Sequence, residues 1–301
     1  MSKQLKADLM LIIVTLGWGL SYLMMSLCLK DIQPLTLNAY RFLIAFFIAF
    51  ALCFKKLKNV NKTTIKYSLL IGLVLTFVYI GATYGVMYTS LSNAGFLCAL
   101  TVIFTPILSF FIKREVPNKK LIGVLILCIV GIALMTLNEQ LKPALGDLLC
   151  IMCAVAYAID LTIADSAVHK EEVDAFQLGV YQLGATGSFM IILAIFLETP
   201  SLPSTPSIWA SMLFLSIFCT GIAFIVQVMA QQYTSATHVG VIFALEPVFA
   251  GIAAFFFAGE RLLPRAYLGA LLLLAGILIM EVDFKGLLKK DKKQMLEDLN
   301  N

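Results

Sequence analysis

The stretch Tyr88-Thr89-Ser90-Leu91-Ser92-Asn93-Ala94-Gly95-Phe96-Leu97-Cys98-Ala99-Leu100-Thr101-Val102-Ile103-Phe104 has a counterpart in Tyr233-Thr234-Ser235-Ala236-Thr237-His238-Val239-Gly240-Val241-Ile242-Phe243-Ala244-Leu245-Glu246-Pro247-Val248-Phe249. At an offset of 145, the Tyr-Thr-Ser triplet is shared, and so are Gly95 with Gly240, Ala99 with Ala244, Leu100 with Leu245 and Phe104 with Phe249. Apolar coincidences are common in such a sequence, but seven identities in seventeen residues, three of them polar, indicate an internal duplication. The same offset pairs Glu115 with Glu260, Gly131-Ile132 with Gly276-Ile277 and Met135 with Met280. Nearer the N-terminus, Asp8 and Trp18 match Asp147 and Tyr157 at 139, and Tyr40-Arg41 matches Tyr181-Gln182 at 141.

The composition around these segments places the chain in a membrane. Of 301 residues 60% are apolar and only 13% charged, about half the charge of a soluble domain. Mean hydropathy is +0.94, so there is too little polar surface to clothe a water-soluble globule. A soluble enzyme, a nucleic-acid binder and a disordered chain are excluded, and 22 basic against 18 acidic residues imply no polyanionic partner. Ten apolar stretches of spanning length follow one another: 7–29, 35–54, 67–88, 95–112, 121–137, 147–168, 175–197, 208–231, 239–258 and 267–280, the last extending toward Phe284. They are too uniformly apolar for barrel strands. The first lacks a small-residue cleavage site and is too long for a signal-peptide core, so it is expected to stay in the mature protein. The expected fold class is an all-α polytopic membrane protein of ten transmembrane helices. An odd number of spans per copy inserts the second copy upside down. The duplication therefore predicts two inverted five-helix repeats, 1–138 and 139–284, followed by a cytoplasmic basic tail, 285–301.

Orientation follows from the basic residues. With the N-terminus inside, the cytoplasmic segments hold Lys3 and Lys6, then Lys55, Lys56, Lys58, Lys62 and Lys66, then Lys113, Arg114, Lys119 and Lys120. Lys170 and the tail lysines Lys285, Lys289, Lys290, Lys292 and Lys293 follow on the same side. The outer loops hold only Lys30, Lys142, Arg261 and Arg265, so both termini are expected in the cytoplasm and the chain in the cytoplasmic membrane.

Gly17-Trp18-Gly19 with Ser21 in span one, Arg41-Phe42 in span two, the Tyr-Thr-Ser…Gly joint before spans four and nine, and Glu246-Pro247 together resemble an EamA-type member of the drug/metabolite transporter superfamily. The resemblance covers essentially the whole chain and rests on the order and spacing of motifs that are individually weak. It implies movement of small metabolites across the cytoplasmic membrane, often export of amino acids or metabolites. One departure stands out: span four has Thr101-Val102 where span nine has Glu-Pro, with Pro106 a turn later. Symmetrical Glu-Pro breaks are therefore not implied.

Charges inside spans cost enough to make each a candidate site. At 1.5 Å per residue, Arg41 lies roughly 9 Å from its outer helix end, Asp160 about 20 Å and Glu246 about 10 Å from its inner end. Asp160 reads as a proton or cation partner lining a cavity, or as a polar helix contact. Glu246 precedes Pro247, which cannot donate and frees the carbonyl four residues earlier, so the pair is either a hinge or a substrate contact. Arg41 could fork onto a substrate carboxylate, but the family resemblance favours a structural role. Trp18 and Tyr22 share a face of span one; Tyr157 shares one with Asp160; Tyr40, Tyr84, Tyr181, Gln182 and Gln227 add donors and rings, and Thr101 stands opposite Glu246 in the repeat. The substrate-binding set is thus Trp18, Tyr22, Tyr40, Arg41, Tyr84, Thr101, Tyr157, Asp160, Gln182, Gln227 and Glu246. Such a lining suits a small zwitterion or organic cation, its ammonium on an acid or a ring. Gly17, Gly19, Gly81 and Gly85 allow close helix approach without any substrate.

The seven cysteines fall in apolar spans, and Cys150-x-x-Cys153 reads as small apolar filler. His169 and His238 offer no metal spacing, Asn61-Lys-Thr63 is a sequon on the inner side, and no Walker loop appears. No cofactor, metal, nucleic acid or catalytic constellation is expected. The sequence points to a secondary transporter, most readily an exporter, of a small polar or amphipathic metabolite, with proton coupling through Asp160 or Glu246 and a homodimer both left open. A gradient-independent exchanger, or a membrane sensor or scaffold that moves nothing, shares the same composition.

Overall fold

The computed structural model describes residues 3–89, 91–114, 119–136, 145–258 and 264–281. Glu115, Glu260 and the basic tail lie outside them, as does the junction between the expected repeats. All regular structure among the described residues is helical: α1 (Lys3–Cys28), α2 (Pro34–Leu57), α3 (Lys62–Tyr88), α4 (Leu91–Ala99), α5 (Thr101–Lys113), α6 (Lys119–Thr136), α7 (Leu145–Val168), α8 (Ala175–Leu197), α9 (Pro206–Ser216), a π-helical segment (Ile217–Ile222), α10 (Ala223–Ala230), α11 (Ala236–Phe243), α12 (Glu246–Ala258) and α13 (Pro264–Glu281). Among the described residues seven helical runs are long and apolar enough to cross a membrane: α1, α2, α3, α7, α8, Pro206–Ala230 and Ala236–Phe257. Leu97–Ile112 and Tyr267–Gly276 are shorter apolar helices. The outward faces carry large apolar side chains, with Leu52 and Phe196 both 80% exposed. Such surfaces call for hydrocarbon as solvent, and the chain is a multi-pass membrane protein.

Local sequence explains where the helices begin. Asn61 accepts from Thr64 N at 2.7 Å to cap α3, and Asp174 accepts from Gln177 N at 2.7 Å to cap α8. The first turn of α2, opened by Pro34, has no cap of its own. Glu198, at the end of α8, supplies it: its carboxylate accepts from Leu35 N, Thr36 N and Thr36 Oγ1, each at 2.8 Å. At the opposite end of the bundle Glu172 accepts from Thr63 Oγ1 at 2.7 Å, and its backbone carbonyl accepts from the Asn61 amide. α2 and α3 are thus tied to the α7–α8 region at both ends.

Three apolar stretches that read as continuous spans are interrupted. The stretch 95–112 breaks at Leu100 between α4 and α5, and 239–258 breaks at Ala244–Leu245 between α11 and α12. The two breaks share their hydrogen bonding at the 145 offset. Ile103 N and Phe104 N both donate to Leu100 O, at 2.8 and 3.2 Å, and Val248 N and Phe249 N both donate to Leu245 O, at 2.9 and 3.2 Å. Pro247 explains the second break. In the first, without a Glu-Pro, the Thr101 hydroxyl turns back to donate to Cys98 O at 2.8 Å, offering the backbone an alternative to the regular ladder. The stretch 208–231 is interrupted differently, by the π-helical turns at Ile217–Ile222.

α3 packs along α7 and α8, α2 along α8, α6 along α13, and α1 along α12. Several close approaches between helices require glycine, as two of them illustrate. A Cβ on Gly81 would lie 2.5 Å from Leu149 O on α7, and one on Gly19 would lie 2.6 Å from the Phe249 Cβ on α12. Gly17, expected to serve the same purpose, faces open space instead. Gly81→Leu is accordingly expected to cost at least about 1–3 kcal/mol through overpacking, and Gly17→Leu close to nothing. Thermal melts of the purified protein in detergent check the contrast.

Candidate functional site

The helices line a central cavity of about 70 Å³. α1 contributes Trp18, Ser21, Tyr22 and Met25; α2 contributes Arg41; α3 contributes Val78, Tyr79 and Ala82. Cys98 and Ala99 of α4 and Thr101 of α5 meet Cys153 and Tyr157 of α7, and Phe224, Gly240, Phe243 and Glu246 complete the wall from α10, α11 and α12. Both helix breaks therefore reach the cavity. Thr101 and Glu246, the first residues after them and related by the 145 offset, both line it.

Aromatic rings form much of the wall. Trp18 packs edge-on against Phe243 at 4.7 Å between centroids and against Tyr157 at 5.8 Å. Tyr157 stacks on Phe243 at 6.1 Å, with ring planes 4° apart. Phe224 joins Trp18 at 5.4 Å to Tyr79 at 6.0 Å. Aromatic rings of this kind attract a cation that reaches their faces.

The two cavity charges are held differently. Arg41 is 2% exposed, and two of its five donors go to the π-helical segment: Nε donates to Thr220 Oγ1, and Nη2 donates to Cys219 O at 3.1 Å. Trp18 Nε1 donates to the same carbonyl at 2.8 Å. A π turn departs from the i→i−4 ladder, which makes backbone carbonyls available to side-chain donors. The guanidinium also lies 4.8 Å from the Tyr79 ring centroid. Glu246 is half-buried at the start of α12 and faces the Tyr22 hydroxyl. Its carboxylate is the anion and hydrogen-bond acceptor among the lining residues, and Arg41 is a partly committed cation on the same wall.

Of the candidates drawn from sequence, the structure brings Trp18, Tyr22, Arg41, Thr101, Tyr157 and Glu246 to this cavity. The other five lie elsewhere. Tyr84 donates to Glu198 Oε1 at 3.2 Å in the tie at the head of α2, and its ring stacks on Tyr88. Tyr40 packs against the apolar core. Gln182 is buried in α8, with its Nε2 unpartnered. Asp160, 1% exposed, and Gln227, fully buried, sit behind Tyr157, whose hydroxyl donates to Gln227 Oε1 at 2.8 Å. Sequence depth gives height along a helix and not azimuth, so Asp160 sits one ring behind the cavity wall instead of on it. Sequence reasoning missed Tyr79, Phe224 and Phe243 because they read as ordinary apolar residues. A signal existed, since Tyr79 and Phe224 are themselves paired by the 145 offset.

Comparison with known proteins agrees with this architecture. The EamA-like transporter family model matches residues 5–137 and again 144–282. An uncharacterized transporter of Archaeoglobus fulgidus is 28% identical over 93% of this chain and 87% of its own length. The uncharacterized transporter YoaV of Bacillus subtilis is 25% identical over 93% of this chain and 98% of its own. A crystal structure at 17% sequence identity superposes with a TM-score of 0.76, covering 92% of this chain and 96% of that one, which shows a shared fold.

Proposed function

The chain belongs to the EamA-like transporter family, and from that membership we propose that it exports a small zwitterionic or cationic metabolite across the cytoplasmic membrane by alternating access. The observation that carries this reading is the central cavity itself, an aromatic box with Glu246 and Arg41 on its wall and both helix breaks opening into it. An amphipathic solute would lay its apolar body on Trp18, Tyr79, Tyr157, Phe224 and Phe243 and its ammonium against Glu246 and the ring faces. The ten spans are taken as two inverted five-helix repeats, 1–138 and 139–284. The repeated sequence, the twofold match to the family model and the equivalent breaks at Leu100 and Leu245 support that arrangement. Exchange of conformation between the repeats would then expose the cavity to each side in turn. The lysine asymmetry supports cytoplasmic termini.

The test has two stages. A thermal-shift screen of the purified protein against amino acids, sugars, nucleosides, vitamins and organic cations should select zwitterions or cations. Counterflow of the selected labelled compound into proteoliposomes should then exceed that into protein-free liposomes. Binding without counterflow would make the protein a sensor and sink the transport mechanism.

A further inference from the structure

Behind the cavity wall lies a second polar cluster. Asp160 on α7 is 1% exposed, and its Oδ1 has no hydrogen-bond partner. Gln227 on α10 faces it; the Gln227 carbonyl accepts from Tyr157 while its Nε2 is unpartnered. One turn on, Gln231 donates to the carbonyl of Leu161, the residue after Asp160, at 2.9 Å, and its own Oε1 is a buried acceptor without a donor. Among the described residues no lysine, arginine or histidine forms an ion pair with Asp160.

The titratable groups around it offer no counter-charge. Tyr157 shares its helix and faces it, while Asp165, further along α7, is paired with His169 at 3.8 Å. α10 presents the neutral Gln227; α11 carries His238, whose Nε2 lies 3.5 Å from Asp8 on α1. α3 carries Tyr79 and α4 Cys98, both on the cavity wall, and α5 has the neutral Thr101 there. A bare carboxylate in this setting is held at high cost. A proton removes the charge and turns the carboxyl into a donor.

We propose that Asp160, with Gln227 and Tyr157, forms a proton-binding site one layer behind the substrate cavity, whose occupancy is read in the cavity through Tyr157. Tyr157 is the link because it faces both ways: its hydroxyl bonds Gln227, and its ring contacts Trp18 and Phe243. A carboxylate at Asp160 draws the Gln227 amide NH₂ toward itself, which reorients the carbonyl that Tyr157 bonds. A carboxylic acid there competes with Tyr157 for that same carbonyl. The coupling of this proton to transport rests on the proposed function, whereas the site itself does not.

The test needs no substrate. In a Trp209→Phe background, which leaves Trp18 as the tryptophan, the protein in nanodiscs is titrated with acid. Trp18 fluorescence and the carboxylic-acid C=O stretch in infrared difference spectra are followed together. A fluorescence transition should accompany one carboxyl band. Asp160→Asn should lose both, Asp160→Glu should shift the band, and Glu246→Gln should keep both. Tyr157→Phe should keep the band and lose the fluorescence transition. Persistence of both signals in Asp160→Asn overturns the site, as does a fluorescence transition that follows sodium at fixed pH. Fluorescence that still tracks the band in Tyr157→Phe overturns the link. A protein that moves no solute yet gives these signals would retain the proton site and lose the transport reading.

Discussion

Glu246→Gln is expected to weaken binding of a zwitterionic or cationic solute by about 30- to 1,000-fold, the loss of about 2–4 kcal/mol that follows removal of one member of a desolvated charge pair. Glutamine keeps the shape of the side chain and a carbonyl for Tyr22 to bond, so the cavity should hold its form. Burying an amide costs less than burying an unpaired carboxylate, so the melting temperature of the unliganded variant should hold or rise. That combination, lost affinity with retained stability, separates a ligand-binding Glu246 from a hinge residue. If Glu246 serves only the break in span nine, Pro247→Ala should alter transport while Glu246→Gln binds normally. Isothermal titration with a compound selected by the thermal-shift screen measures the first quantity, and a detergent melt measures the second.

Arg41→Met should have the largest effect on stability. The guanidinium gives two hydrogen bonds to the π-helical segment, to Thr220 Oγ1 and Cys219 O, and lies against the Tyr79 ring. Charged hydrogen bonds contribute about 1.5–3 kcal/mol each and a desolvated cation–π contact up to about 2 kcal/mol. With methionine recovering part of the packing, a net loss of about 3–5 kcal/mol is expected. Arg41→Lys should recover only part of it, because an ammonium cannot reproduce the planar donor geometry that reaches both partners. Solute preference gives the second readout. If the remaining Arg41 donors also meet a substrate carboxylate, folded Arg41→Lys should lose affinity for zwitterions and keep it for simple organic cations.

The membrane class of the fold was legible because hydrocarbon imposes a composition that no soluble domain shares, and spans announce themselves by length. Glu246-Pro247 marked one helix break for a covalent reason. Its partner at Leu100 carried no such mark, since a threonine hydroxyl reaching Cys98 O looks the same in sequence as one that bends nothing. The π-helical segment was hidden for a related reason: Ile217–Ile222 reads as plain apolar filler, and its irregularity emerges only with Arg41 and Trp18 bonded to Cys219 O. Tyr84 shows the opposite failure. Its depth and chemistry suited a cavity, but its partner is Glu198, 114 residues away, and no periodicity within one span encodes that pairing.

The carboxylate ties at Glu198 and Glu172 divide the molecule mechanically. With α2 and α3 pinned to the α7–α8 region at both ends, bending is cheapest where backbone bonds are already irregular, at Leu100, at Leu245 and in the π-helical segment Ile217–Ile222. Under the proposed alternating access, α12 would act as a lever with its fulcrum at Leu245 and Glu246 seated beside it. Its thirteen residues make an arm of about 20 Å. A tilt of about 15° would carry the far tip about 5 Å, roughly the width of an aliphatic chain. Because Glu246 stands at the slow end of that lever, it could keep hold of its solute while the distant end swings clear.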